Sequence, residues 1–557
     1  MAAGQSSRSP TVRMTQSGPV EGVDDAARSR TYRWLGVPFA RPPIGALRWK
    51  PPLDPEPWVS PRPAKMFASA SAQCGMPIGP GANNTYDVTI ASTIGRVVGS
   101  EDCLYLNMWR PANDETGLPV IVFIHGGYLL AGYTADPMYD GANLAREANA
   151  VVVTVNYRLG VLGWLNLPQL KTGDPDSDSG NFGMLDIIQA LRWVHRNIAE
   201  FGGDAGNVTV MGQSAGAVAA WLLLVARATR NARLFHRLVP ISGGMSLATN
   251  LPSGSIPILL PTTYFAAQGK ALLQALLIAD GKAADAASAD AYIQAQGNAH
   301  VADYLRSKPA DEILSTVVTK LTSMGLAVSW PIPDGHVLPL DPIASIVAGD
   351  YASVPVLAGS TREEGKILSQ LLALSPALGG VPGLRIGDAE RFMNYYNFDP
   401  DGPTSLTVEA IVNPQYLPVD APDTGFNART ALLTKVFLTA NSENVLNALK
   451  TRQPDVWHYR FDWAREAPPY DVIIGAGHLV DMLFVFGNFG PSLLSKPIAS
   501  SANRKGRLAL SKAMMASVAA FARAGDPNND SLGIAWPTWP RSLVFDASLD
   551  DKAISVI

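Results

Sequence analysis

The sequence predicts an α/β protein with a large, mostly parallel central sheet, and three observations support this fold class. Between about residues 11 and 245, runs rich in β-branched residues alternate with segments that have apolar residues at helical spacing, a pattern typical of βαβ units. The pentapeptide Gly212-Gln213-Ser214-Ala215-Gly216 stands between a predicted strand and a predicted helix. Strand patterns return near residues 354 and 455. The sheet is therefore expected to continue through most of the chain.

The elements of the amino-terminal half follow from local patterns. Apolar, β-branched runs predict strands at residues 119–125, 150–157 and 207–211. Apolar spacing predicts a helix over residues 183–200, which the glycines of Phe201-Gly202-Gly203-Asp204 should end. Residues 217–226 are predicted to form a buried helix.

The carboxy-terminal half predicts more strands, separated by helical insertions. Residues 266–299 are alanine-rich and predict helix, while residues 354–358 and 455–461 predict strands. The regions 250–350 and 366–450 are interpreted as helical insertions over a site, forming a cap or gorge. A long helix is expected at residues 508–524, and no linker divides the chain. Residues 1–557 are therefore expected to form a single domain.

Composition and charge favour a globular protein that acts on small molecules. Of the 557 residues, 47% are hydrophobic and 17% are charged, and the net charge is −4. This balance gives no basic patch for nucleic acid, and no apolar run reaches the roughly 20 residues of a membrane span. Residues 1–10 have no signal-peptide core. A mature secreted or periplasmic form without its leader and a cytoplasmic protein both remain open.

The pentapeptide around Ser214 has the G-x-S-x-G pattern of a nucleophile elbow. Small residues flank the serine because a turn this tight leaves no space for side chains beside it. A serine hydroxyl becomes nucleophilic when a base takes its proton, and a histidine base needs a carboxylate to fix its tautomer. Of the seven histidines, His478 is the favoured base, because it follows the flexible stretch Gly475-Ala476-Gly477.

Ordered motifs resemble the type B carboxylesterase and cholinesterase family of the α/β hydrolases, and they cover nearly all of the chain. The most recognisable is Glu101-Asp102-Cys103-Leu104-Tyr105-Leu106-Asn107. The others are Gly36-Val37-Pro38-Phe39-Ala40, Asn156-Tyr157-Arg158-Leu159-Gly160, Phe201-Gly202-Gly203-Asp204, Asp334-Gly335, Glu363-Glu364-Gly365 and Gly525-Asp526-Pro527-Asn528. The resemblance implies an α/β-hydrolase fold and a serine esterase that hydrolyses small carboxylic esters without a metal or organic cofactor.

The resemblance also assigns roles to individual residues. It implies Ser214 as nucleophile, Glu364 as the acid and His478 as the base, in the chain order expected for α/β hydrolases. From the residues alone, a solvated acid in the charged turn of residues 362–366 is the favoured interpretation of Glu364, and Glu363 is its closest rival.

The resemblance further implies structural pairs. It pairs Cys74 and Cys103 as a disulfide, which would support an exported protein, although two free thiols are the ordinary reading of two cysteines in a cytosolic chain. It also implies that Arg48 with Glu101, and Arg158 with Asp186, form structural ion pairs.

An ester hydrolase of this kind needs backbone N–H donors for the oxyanion. The resemblance implies donors at Gly127, Tyr128 and Ala215, with Gly126 allowing the turn. Tyr128 departs from the family pattern, which has glycine or alanine there. Its ring is expected either to shape the substrate pocket or to pack away under the loop. Further substrate-binding candidates are Gly126, Gln213 and Ser242, the last as a residue behind the site.

Two departures from the cholinesterases concern the substrate. Gln213 replaces the acid that precedes their nucleophile, and residues 75–102 contain no tryptophan, which argues against a choline-ester site. The main alternative is a lipase or polyester hydrolase that acts at an interface. A non-catalytic binding module of the same fold is a more distant one. The sequence does not decide the oligomeric state.

Overall fold

The computed structural model describes residues 10–557. Residues 1–9 lie outside the described residues. They include most of the segment, residues 1–10, that has no signal-peptide core in the sequence. The main sheet has eleven strands, numbered here in chain order. They are β1 (Val23–Asp25), β2 (Thr31–Pro38), β3 (Tyr105–Pro111), β4 (Leu118–Ile124), β5 (Val151–Val155), β6 (Gly203–Gln213), β7 (Arg237–Ile241), β8 (Val356–Thr361), β9 (Val456–Phe461), β10 (Leu543–Ala547) and β11 (Lys552–Val556).

The strands lie in the order β1-β2-β3-β5-β4-β6-β7-β8-β9-β10-β11. Neighbours from β5 to β10 pair in parallel, whereas the pairs at both edges are antiparallel. The predicted large, mostly parallel sheet is therefore confirmed. Strands β4 and β5 are buried along their whole length, because helices cover both faces of a parallel sheet.

Helices of seven or more residues pack around this sheet. In the described part of the chain they are Ala142–Ala148, Phe182–Asn197, Ala215–Val225, Thr262–Ala279, Ala286–Ser307, Ala310–Thr316, Pro342–Ala348, Asp388–Asn397, Phe426–Thr434, Ala440–Lys450, Val480–Phe486 and Arg504–Ala524. The helix Ala215–Val225 is buried on every side, as expected for a helix that packs against the centre of the sheet.

One predicted helical region differs from the structure in a way that has a physical cause. The alanine-rich region is helical, as predicted, but it is broken twice. Thr262–Ala279 ends before Gly281, whose φ is +68°, and Ala286–Ser307 is interrupted at Gly297, whose φ is +75°. Such an angle suits glycine and ends a helix. The second helix then begins after Asp285, whose carboxylate accepts a hydrogen bond from Ser288 N–H. Together with Ala310–Thr316, these helices occupy the chain between β7 and β8.

The structure does not contain the predicted disulfide. Cys74 and Cys103 are both free thiols, and they lie in different apolar surroundings. Cys103 is buried in the cluster that includes β3 and β4, whereas Cys74 is partly buried against the helical cluster of residues 272–321. The Cys74 thiol is 3.8 Å from the carbonyl oxygen of Leu314. The sequence argument for export that rested on this bond therefore has no support here.

Both expected ion pairs are present and belong to the scaffold. Arg48 and Glu101 approach to 2.5 Å, and Arg158 and Asp186 to 2.7 Å with both side chains buried. Arg158 anchors the segment after β5 to the helix Phe182–Asn197. Among residues 10–557, no helix is both long enough and apolar enough to cross a bilayer.

Candidate active site

Ser214 occupies the sharp turn between strand β6 and the helix Ala215–Val225. Its backbone has φ of 57° and ψ of −123°, a conformation that non-glycine residues adopt only under constraint. The Ser214 N–H donates to the carbonyl oxygen of Ile241 at 2.8 Å, which ties the turn to β7. Ser214 is partly exposed although Gln213 and Ala215 are buried. This is the geometry of a nucleophile elbow.

Glycines beside the turn allow backbones to approach closely. A Cβ added to Gly216 would lie 2.1 Å from the carbonyl oxygen of Ile124, the last residue of β4. A Cβ added to Gly126 would lie 2.9 Å from the Cβ of Ser214. Any side chain at Gly126 would therefore displace the serine or the glycine-rich loop.

His478 and Glu364 form a buried pair beside this turn. The His478 Nδ1 lies 2.5 Å from Glu364 Oε2, and the side chains are 7% and 1% exposed. The other carboxylate oxygen of Glu364 accepts a hydrogen bond from the Thr361 N–H at 2.8 Å. Glu364 follows β8, and His478 lies in the loop before the helix Val480–Phe486. Two segments distant in sequence therefore hold one carboxylate–imidazole pair in place.

Glu363 contacts different residues from those that Glu364 contacts. Its carboxylate pairs with Lys366 at 2.8 Å and accepts a hydrogen bond from the Ala476 N–H at 2.9 Å. Burial opposes ionisation of Glu363, but the Lys366 ammonium and the Arg362 guanidinium hold its pKa below the usual value. Glu363 thus braces the loop that carries His478 without contacting the imidazole.

The second nitrogen of His478 faces Gln213. The Nε2 of His478 is 3.2 Å from Nε2 of Gln213. If Nδ1 carries the proton donated to Glu364, then Nε2 holds a lone pair and accepts from the Gln213 amide. The Oγ of Ser214 has no hydrogen-bond partner within residues 10–557, so it is free to turn toward His478. The arrangement presents one basic nitrogen at the cavity that contains the serine.

The glycine-rich loop after β4 presents free backbone donors. Gly127 and Tyr128 have φ of +110° and +60°, and neither N–H donates to an acceptor within residues 10–557. Ala215 is the first residue of its helix, so its N–H has no intrahelical acceptor. The positive end of the helix dipole lies at the same place. These three N–H groups are suited to an anion.

A narrow cavity lies beside Ser214 and His478. The centres of water molecules can occupy about 70 Å³ of it. Its walls include the sequence-predicted residues Gly126, Gly127, Tyr128, Gln213, Ser214 and His478, together with Ile367, Leu368 and Leu493. No residue of 250–350 lines it. A larger groove of about 770 Å³, between residues 252–256 and 435–447, includes none of Ser214, Glu364 and His478.

Three predicted site residues, Ser242, Glu364 and Ala215, do not line the cavity. Ser242 lies behind the site. It is 2% exposed and has φ of +57°, and its hydroxyl has no hydrogen-bond partner within the described chain. His125 is likewise structural. Its Nδ1 lies 2.8 Å from the carbonyl oxygen of Gly126, and its ring stacks on Tyr157. Burial lowers the pKa of His125 to about 4, so its imidazole is neutral.

Sequence reasoning missed two buried carboxyl groups near the site. Asp136 lines the same cavity as Ser214, and burial raises its pKa to about 6. Asp481, three residues after His478, is fully buried, and burial followed by the charge of Glu364 raises its pKa to about 7. The Tyr459 hydroxyl donates to Asp481 at 2.8 Å. An aspartate among apolar residues, as in Asp481-Met482-Leu483-Phe484, was the only available signal.

A known protein family matches nearly the whole chain. The family model described as "Carboxylesterase family" matches residues 8–548. The chain is 32% identical over 503 residues to a fumonisin B1 esterase of Sphingopyxis macrogoltabida, which covers 88% of this chain and 78% of that protein. It is 29% identical over 548 residues to the para-nitrobenzyl esterase of Bacillus subtilis, covering 96% and 94%.

Solved structures of esterases are also similar to this chain. A PNB esterase structure superposes with a TM-score of 0.71 at 27% identity, covering 99% of this chain and 97% of that one. A Geobacillus stearothermophilus carboxylesterase superposes with a TM-score of 0.69 at 28% identity, covering 98% of each chain. The predicted α/β-hydrolase fold is therefore confirmed. The chain belongs to the carboxylesterase family and is a hydrolase of carboxylic esters.

Proposed function

We propose that this protein hydrolyses small carboxylic esters through an acyl-enzyme on Ser214. The observation that carries the proposal is the 2.5 Å contact between His478 Nδ1 and Glu364 Oε2, beside the strained turn of Ser214. Buried carboxylate and imidazole groups at this distance fix the tautomer in which Nε2 is the base. Ser214 and His478 both line one cavity.

The reaction proceeds in two acyl transfers. Ser214 Oγ attacks the ester carbonyl carbon while His478 Nε2 accepts its proton, and the imidazolium is stabilised by Glu364. Collapse of the tetrahedral intermediate breaks the bond to the alcohol oxygen, which takes the proton from His478. Water then attacks the acyl carbon by the same route and restores Ser214. For the first step, the Gln213 amide must release Nε2, since it occupies the lone pair at 3.2 Å.

The N–H groups of Gly127, Tyr128 and Ala215 would stabilise the oxyanion. Each lacks a competing backbone acceptor, so no existing hydrogen bond has to break when charge develops on the carbonyl oxygen. Donors that are already in place contribute about 3 kcal/mol each to such transition states.

Trapping the intermediate tests the acyl-enzyme directly. With p-nitrophenyl acetate, we expect a burst of p-nitrophenol equal to the enzyme concentration, provided that deacylation is the slower step. Mass spectrometry of acid-quenched protein should find the acetyl group on the peptide that contains Ser214. A fluorophosphonate probe should label the same residue. If the folded protein reacts with neither p-nitrophenyl acetate nor the fluorophosphonate probe, the non-catalytic binding module replaces the proposal.

The ring of Tyr128 is expected to limit the length of the acyl group. It lines the cavity, and its partly buried position agrees with a wall of the pocket. Tyr128→Ala should raise kcat/KM for p-nitrophenyl hexanoate relative to the acetate by about tenfold, the usual effect of a few buried methylene groups. Tyr264→Ala, at a tyrosine outside the cavity, is the matched control. An unchanged acyl-length profile in Tyr128→Ala would show that the ring does not select substrates.

A further inference from the structure

We propose that the cavity beside Ser214 binds a protonated primary amine of the substrate, with Asp136 as the carboxylate that receives it. This inference deepens the proposed function, on which it rests, by naming a substrate class: esters that carry an ammonium group near the ester carbonyl. This proposed site differs from a choline site. A carboxylate oxygen accepts hydrogen bonds from the N–H groups of a primary ammonium ion, and a quaternary ammonium ion has no N–H to donate.

Asp136 has one free oxygen at the cavity wall. Its Oδ1 accepts the hydrogen bond of the Met138 N–H at 2.9 Å, which caps the short helical turn Pro137–Tyr139. Its Oδ2 has no hydrogen-bond partner within residues 10–557. The residue is 7% exposed and lines the cavity that contains Ser214 and His478. The free oxygen is therefore placed where a bound ester can reach it.

No protein cation neutralises Asp136. Within the described chain, no arginine, lysine or histidine forms an ion pair with it, although other buried carboxylates such as Asp186 have such partners. Burial raises the pKa of Asp136 to about 6, so the group is an anion at mildly alkaline pH. A buried anion without a counterion destabilises a protein unless a ligand supplies the missing charge.

Tyrosines lie close enough to this carboxylate to respond to its charge. Tyr139 lines the same cavity, and the negative charge of Asp136, added to burial, raises the pKa values of Tyr86, Tyr133 and Tyr139. The Tyr133 hydroxyl is buried without a hydrogen-bond partner in residues 10–557. Buried tyrosines beside a carboxylate exclude the water that would compete for an ammonium ion.

The test measures binding without catalysis. The Ser214→Ala protein is titrated at mildly alkaline pH with n-butylammonium and with methyl propyl ether, a neutral molecule of the same size. We expect n-butylammonium to bind. The quantity compared is the Kd of n-butylammonium divided by the Kd of the ether. In the same background, Asp136→Asn should raise this Kd ratio by about tenfold to a hundredfold, the value of a charge-assisted hydrogen bond. Asparagine retains an oxygen that can accept from the Met138 N–H.

Asp140→Asn is the matched control, because Asp140 lies four residues away and accepts from the Ala142 N–H outside the cavity. The Kd ratio of the Asp140→Asn variant should equal that of the Ser214→Ala parent protein. If the Kd ratio of the Asp136→Asn variant stays within twofold of the parent value, the inference is overturned. If Asp136→Asn does not fold, Asp136→Ser, whose hydroxyl can also cap the turn, takes its place. Loss of ester hydrolysis in the native protein would overturn the proposed function instead, and these binding measurements would still stand.

Discussion

Replacing Ser214 by alanine is expected to lower kcat/KM for p-nitrophenyl acetate by about 10⁴-fold to 10⁶-fold. In the proposed mechanism Oγ is the atom that forms the acyl-enzyme, so its loss removes the first chemical step. The proposed oxyanion donors at Gly127, Tyr128 and Ala215 remain, and they should leave only a small acceleration over water. Steady-state rates and the loss of fluorophosphonate labelling measure the effect.

Ser253→Ala is the matched control, because Ser253 is exposed in the loop after β7 and lies outside the cavity. It should retain the native rate. The melting temperatures of both variants establish that they are folded. Native-like hydrolysis by the Ser214→Ala protein would place the nucleophile on another residue.

Replacing Glu364 by glutamine is expected to lower kcat/KM by about 10³-fold to 10⁴-fold. Glutamine can still accept the hydrogen bond from the Thr361 N–H. Its amide N–H₂ would then face His478 Nδ1, which favours the tautomer whose proton sits on Nε2, and that nitrogen can no longer act as the base.

The adjacent Glu363→Gln variant separates the two carboxylates. Glu363 pairs with Lys366 and the loop at Ala476, so its loss should lower the melting temperature and change kcat/KM by less than about tenfold, as expected for a partly exposed ion pair. Rates for both variants should be compared at equal concentrations of folded protein. If Glu363→Gln loses more activity than Glu364→Gln, Glu364 is not the acid of this site.

Much of the fold was predictable because its signals are local. The strands β4, β5 and β9 are within one or two residues of the predicted ranges, since a continuous run of β-branched residues depends only on neighbours in the chain. Residues 266–299 are helical, as predicted, but the breaks at Gly281 and Gly297 were not predicted. Alanine favours helix on both sides of Gly281 and does not show where one helix ends.

The site was predictable to a different extent at each residue. The elbow at Ser214 requires small flanking residues, and this requirement is visible in five letters of sequence. Glu363 and Glu364 are adjacent and chemically alike, so only family resemblance separated them. The contact with His478 depends on how β8 and the loop near residue 476 meet, and more than one hundred residues lie between them.

The sequence by itself determined the α/β fold class, the elbow and the family, because β-branched runs, helical spacing and ordered motifs are all properties of neighbouring residues. Only the tertiary structure decided which carboxylate contacts His478, that Cys74 and Cys103 are free thiols, and that Asp136 lies unpaired in the cavity of Ser214. Each of these depends on the distance and burial of groups that are remote in the chain. Burial shifts the pKa of a side chain and removes the water that would otherwise be its partner. A side chain becomes buried only after the segments have packed.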